Sequence, residues 1–424
     1  MWEKLRQIWK IKELRNKILF VLGMLIIFRV VAHIPIPGVD IENLKNLFSS
    51  NQLLGLLNIF SGGGMENFSV VMLGIAPYIT ASIIFQLLTM VIPKLEEMQK
   101  EGEAGRAKLN QYQRLLTVPL AAMSGYGMIT FLRQSGQGIL TDVSGFQLVI
   151  TLITITAGTI FLMWIGELIT EKQIGNGISL IIFAGIVSRV PTSLQQTIAT
   201  FDSSQIPLYI AFLLVGLVTI AAVVIVTEGK RNIPVSYAKR IRGMRMYGGV
   251  DTHLPLRVNQ AGVIPIIFAV SIVLFPPMIA QFFINSSIGW LASGAAFIVD
   301  LFANQVLYAA LYFVLVVAFS YFYTAVIFHP QQIAENLQKQ GGFIPGIRPG
   351  NPTADFLSYV SNRIILGGAL FLGIIAILPN IIQATTSVKS LVIGGTGLLI
   401  VVSVVIEIVK QVESQLVMRN YEGF

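Results

Sequence analysis

An all-α polytopic membrane protein, with ten transmembrane helices in two inverted five-helix halves, is the fold class that the sequence predicts, and three observations lead to it. The first is composition: of 424 residues, 54% are hydrophobic and only 12% charged, and the mean hydropathy is +0.75. One soluble core cannot hide that much apolar surface, and the charged share is about half that of an ordinary globular domain. The second is a set of ten apolar windows, most of them near the ~20 residues a helix needs to cross a bilayer with its backbone bonded internally. The third is the sidedness of positive charge between those windows.

The windows are 18–34, 70–92, 115–132, 148–169 and 178–190, then 206–226, 261–284, 306–328, 364–382 and 391–406. They are apolar on consecutive positions, as in LYFVLVVAFSYFYTAVIF, where a membrane β-strand would alternate. With the N-terminus inside, the inner segments hold 24 of the 29 Lys and Arg residues, and the outer loops only Lys45, Arg133, Arg189 and Lys389. Such cations stay in the cytoplasm, so both termini are expected there. Arg29, near the outer end of the first span, is expected to snorkel to the headgroups. The fifth window is short enough for a re-entrant segment. Unless it crosses, however, the seven cations between Lys230 and Arg257 stand outside, so a span continuing helically through PTSLQQTIAT is expected. Arg29 and the lack of a small-residue cleavage site favour a retained first span over a cleaved signal peptide.

Ten spans divide into residues 1–205 and 206–424, and an odd number of spans per half inverts the second copy. A faint repeat supports this: Gly74, Pro77, Ile79 and Ala81 have the spacing of Gly262, Pro265, Ile267 and Ala269. Interruptions in matching helices of inverted halves commonly border a pathway near the midplane, whereas each proline taken alone is accounted for by a tolerated kink. On the outer side, LLGLLNIFSGGGMENFSVV is apolar, too short to span and broken by Gly62, Gly63 and Gly64. Its composition suits equally a half-helix over about 53–60 folding back as a stopper and a helix lying on lipid.

Catalytic, cofactor and metal sites are not expected. There is no cysteine, no phosphate-cradling G-x-x-x-x-G-K-[ST], and His33, His253 and His329 are far apart. Acidic residues within spans are limited to Glu167 and Glu407 near cytoplasmic ends, which disfavours coupling to an ion gradient. What remains is an unselective aliphatic pore able to dewet. Ile75 and Ile79 share a helical face, as do Ile178 and Ile182, although isoleucines facing lipid or neighbouring helices are common. Thr80, Ser82, Gln86, Asn259 and Gln260 suit hydrogen bonds across a helix seam, about 0.6–2 kcal/mol each, either as an opening gate or as static glue. A secondary transporter or lipid flippase of the same inverted architecture is the alternative.

Two inner loops, about 228–257 and 329–363, stand out. The first carries seven cations and alternates Ile233, Val235 and Tyr237, as a hairpin turning at Gly243 or Gly248–Gly249 does, projecting Lys239, Arg240, Arg242 and Arg245. Such a finger suits RNA phosphate, an acidic protein or anionic lipid. The second presents Arg348 in GGFIPGIRPGNP.

The stretches LGIAPYITASIIFQLL, EGEAGRAKLNQYQR, IGNGISLIIFAGIV, YAKR...THLPLRVNQAGVIPIIFA, GGFIPGIRPG and GGTGLLIVV resemble the SecY family of bacterial protein-conducting channels, from the second span to the tenth. The resemblance implies an hourglass passing unfolded secretory polypeptides and releasing apolar segments sideways into the cell membrane. It implies a waist ring of Ile75, Ile79, Ile178, Ile182, Ile267 and Ile400, and a plug over about 53–67 that includes Leu57, Phe60, Gly63, Met65 and Asn67. Polar contacts of a lateral gate at Thr80, Gln86 and Asn259 follow in the same way. Its implied partners are the SecE and SecG small membrane subunits, the SecA ATPase motor or the ribosome at Lys239, Arg240, Arg242 and Arg348, a signal sequence or preprotein as substrate, and membrane lipids.

Overall fold

The computed structural model describes residues 9–50, 58, 61–134, 139, 144–199, 206–237, 240–242, 245–247, 252–284, 288–385 and 395–422. Helices α1 (Lys12–Val31) and α2 (Ile41–Ser50) precede a run of turns. Then come α3 (Ala76–Val91), α4 (Pro93–Lys100), α5 (Glu103–Gln134), α6 (Gly145–Glu171), α7 (Gly177–Val187) and α8 (Val190–Ala199). Helix α9 (Ile206–Glu228) leads into β1 (Lys230–Tyr237), β2 (Arg240–Arg242), β3 (Arg245–Tyr247) and β4 (Thr252–Arg257). Helices α10 (Ile264–Phe283), α11 (Gly289–Ala303), α12 (Gln305–Ile327) and α13 (Pro330–Lys339) follow, then β5 (Gly342–Phe343), α14 (Asn351–Thr385) and α15 (Gly395–Glu422).

Six of the described helices are long and apolar enough to cross a membrane, or seven if the bent pair α3–α4 is one span. The bend of 102° follows from Pro93, which begins α4 and holds Ile92 extended at φ −102° and ψ 109°. One expectation is corrected here. The second span does not start at Val70, because residues 61–75 run as turns and the helix begins only at Ala76. Between the seventh and eighth windows lies α11, whose 15 residues are apolar but too few to cross. Helical continuation beyond Pro191 is present as α8, and Gly177–Ala199 together has the length of a span.

The chain forms two compact units, Met1–Phe201 with Ser271–Asn304 and Val404–Phe424, and Asp202–Val270 with Gln305–Ser403. In the first, helix starts are written locally. Ser144 Oγ accepts from Gln147 N while Gln147 Oε1 accepts from Ser144 N, a reciprocal capping box that begins α6. Asn176 Oδ1 accepts from Ile178 N and Ser179 N at 3.0 and 3.3 Å and begins α7. Glycines let backbones meet: a Cβ on Gly158 of α6 would strike the Val70 carbonyl, and one on Gly177 the Gly166 carbonyl.

In the second unit β1 pairs antiparallel with β4, Lys230 opposite Arg257 through Val235 opposite Thr252, and its far end pairs with β5, Ser236 opposite Phe343. Strand order β4-β1-β5 therefore joins the two inner loops, which the sequence presents as separate. Ile233, Val235, Leu256, Leu337, Ile344, Leu357 and Val360 form the core beneath them. Strands β2 and β3 make their own ribbon, Arg242 opposite Arg245.

Candidate pore segments and stopper

Helices α3 and α10 start on the same device. Gly74 and Gly262 both lie in the left-handed region, at φ +58° and +64°, where a side chain is strained. Pro77 and Pro265 follow in the second helical position, where a proline withholds an N–H that no helical carbonyl awaits. These prolines therefore kink nothing, which corrects the kink account; among the described residues the prolines inside helices are Pro119, Pro276, Pro277 and Pro379. Ile79 N donates to Ile75 O at 3.1 Å, and Ile267 N to Val263 O at 3.3 Å, so Ile79 and Ile267 occupy equivalent places at the two helix starts. Ile75, Ile79, Ile182, Ile267 and Ile400 are buried, whereas Ile178 is only half-buried. Ile75, Ile79, Ile178 and Ile182 belong to the first unit, and Ile267 and Ile400 to the second.

The glycine-broken stretch packs into the first unit along residues 61–69. Ser61, Met65, Phe68 and Ser69 are buried, and Met65 and Phe68 join a core with Leu44, Phe48, Met72, Leu132 and Ile155. Gly62 and Gly63 take φ +69° and +84°, and a Cβ on Gly62 would meet the Phe28 ring and, at 3.3 Å, Gly185 Cα. Ile36 N donates to Phe68 O and Val70 N to Ile34 O, binding the stretch to the end of α1. Residues 61–69 are thus closed on protein, whereas the segment 53–60, read either as a half-helix stopper or as a helix lying on lipid, lies outside the described residues apart from Asn58. Gly63 and Asn67 are half-buried; Leu57 and Phe60 lie outside the described residues. Arg29 does not snorkel. Its Nη1 donates to Gly62 O at 2.6 Å, because a carbonyl within reach replaces hydration.

The polar residues of the seam bond close to home. Thr80 Oγ1 donates to Ala76 O, Gln86 Nε2 to Ser82 Oγ and Asn259 Nδ2 to Gly262 O, at 3.1, 3.4 and 3.1 Å. Threonine back-bonding to the carbonyl four residues earlier is the usual local solution in a helix. Gln260 reaches further, to Ser361 Oγ of α14 at 3.5 Å, and Gln86 Oε1 is buried without a partner. Arg240 and Arg242 stand on β2, and Lys239 lies outside the described residues. Arg348 is exposed in a turn set by Gly346 and Gly350 at φ +83° and +99°, with its carbonyl accepting from Thr353 Oγ1 at 2.9 Å. Among the described residues no three His, Asp or Glu side chains gather as metal ligands do.

The SecY family model matches residues 69–409, and the protein translocase subunit SecY of Streptomyces coelicolor is 47% identical, over 98% of each chain. The chain belongs to the SecY family. Two solved structures have a similar fold. One, described as a protein conducting channel, has a TM-score of 0.63 at 19% identity, covering 94% of this chain and 91% of that one. The other, whose plug domain is described as stabilising the closed state and maintaining a membrane seal, scores 0.63 at 18% with the same coverage. Within this SecY-family fold two groups escaped sequence reasoning. Val263, buried, is the repeat equivalent of Ile75 and was legible from the Gly-x-x-Pro spacing. The partners of Arg29 and Arg189 had no local signal.

Proposed function

We propose that this chain is the central subunit of a protein-conducting channel in the bacterial cell membrane, with both termini cytoplasmic and ten spans in two inverted halves, 1–205 and 206–424. The observation that carries the reading is identity of 47% along nearly the whole length to a protein translocase subunit. In this reading Ile75, Ile79, Ile178, Ile182, Ile267 and Ile400 form an aliphatic constriction that blocks ions and offers no group to hold a passing polymer. Residues about 53–67 are the plug. Thr80, Gln86 and Asn259 border a lateral gate whose weak bonds reopen when an apolar segment, binding the open state better, shifts the population. The chain does no chemistry of its own. SecE and SecG accompany it, and movement comes from SecA or from the ribosome docked on the basic loops.

Reconstitution with those partners tests this. An ATP-driven preprotein is expected to become protected inside the vesicles, and its exclusion under conditions that support the Streptomyces relative would count against the channel. Arg348→Glu should lower motor-driven translocation about tenfold through the motor's affinity, since loop charges act mainly on association, while ion permeability stays at its resting value. Unchanged translocation across a range of motor concentrations removes the role from Arg348.

A further inference from the structure

The stopper turn is held to the first unit at two polar points as well as by packing. Arg29 of α1 donates to Gly62 O at 2.6 Å. Arg189, at the break between α7 and α8, reaches Glu66 Oε2 at 2.5 Å. The same carboxylate oxygen accepts from Asn58 Nδ2 at 2.7 Å, and Glu66 N donates to Asn58 Oδ1 at 3.1 Å. Glu66 thus ties the turn to itself and to the fifth span at once. Arg189 and Glu66 keep about a third of their side-chain surface exposed, 29% and 36%, so water can take over when the pair parts. A greasy clamp has no such substitute and would release at the full cost of exposing apolar surface.

We propose that Arg29 and Arg189 form a polar latch on the plug, Arg189 through Glu66 and Arg29 through the Gly62 carbonyl, which biases the channel shut and is released when the first and fifth spans move apart. The latch rests on the channel reading and adds the positioning residues to it. Its geometry accounts for the glycine at position 62: Gly62 carries the accepting carbonyl at a left-handed φ that strains most side chains, and its missing side chain lets Phe28 and Gly185 close on the turn. Opening then exchanges a fixed charge-assisted bond for hydration, a differential contact between two states.

The test uses the full chain, reconstituted with its small membrane subunits, and reads potassium leak from resting vesicles. Glu66→Gln and Arg189→Gln are each expected to raise the leak about tenfold, the scale of one lost charge-assisted bond. The double variant should leak no more than either single one, and exchanging the charges, Glu66→Arg with Arg189→Glu, should bring the leak down again. Singles that leak like the parent, or singles whose effects multiply in the double variant, overturn the latch. A ring variant with glycine at Ile75, Ile79, Ile267 and Ile400 separates the two readings: if it leaks and the latch variants do not, the latch alone fails; if neither leaks, the channel reading fails with it. Because the chain has no cysteine, Glu66→Cys with Arg189→Cys provides a second arm that does not depend on a leak. A short bis-maleimide joining the pair should stop preprotein translocation while the unjoined variant translocates, and translocation undiminished after joining overturns release.

Discussion

Glycine at Ile75, Ile79, Ile267 and Ile400 together should make the resting channel conduct ions at least tenfold above the parent without unfolding it. The second half of that result discriminates. A buried isoleucine packed on all sides costs about 2–5 kcal/mol when truncated toward alanine size, and four such losses exceed the ~5–15 kcal/mol that stabilises a typical fold. Isoleucines that instead border an opening lose few contacts on that side, and the cavity they leave joins one that is already there. Single-channel recording and thermal unfolding in detergent give both readings. A leaky protein that keeps its melting temperature assigns these four to the constriction. One that melts many degrees lower, with no conductance, places them in ordinary core.

Gly158→Val and Gly177→Val should each abolish the folded protein. The first Cβ would strike the Val70 carbonyl of the turn run before α3, and the second the Gly166 carbonyl of α6. Backbone cannot step aside as a side chain tip does, so the cost lies at or above the ~1–3 kcal/mol of common overpacking. Gly216→Ala provides the contrast: nothing stands within 4 Å of its Cβ, and inside helix α9 alanine should stabilise by ~0.5–1 kcal/mol. Recovery of monodisperse protein and its melting temperature measure all three. Wild-type melting for Gly158→Val would contradict the close approach of α6 to the turn.

Much of this is legible in the sequence. The long apolar helices α5, α6, α9, α12 and α14 contain windows read from hydropathy alone, since a bilayer demands unbroken apolar length. The alternation of Ile233 and Val235 marked β1, in which both are buried on either side of an exposed Pro234. The Gly-x-x-Pro spacing pointed to matching elements, because left-handed backbone and a proline in the first turn are demands met by particular residue types.

Other features stayed hidden in the sequence for an identifiable reason. That Arg29 serves Gly62 O, and that Arg189 serves Glu66 across 123 positions, depends on which helices lie side by side. An arginine near a span end has the same local pattern whether it points to headgroups or to a carbonyl. The same holds for β1 taking β5 as its second neighbour, which merges two loops into one platform. Composition and periodicity, by themselves, determined that this chain is helical and carries many apolar segments suited to a membrane, because those properties are settled within each segment by its solvent. Only the tertiary structure decided that the glycine turn is closed on protein and which charges hold it. Those outcomes turn on contacts between distant segments, each worth little alone and none marked by its neighbours in sequence.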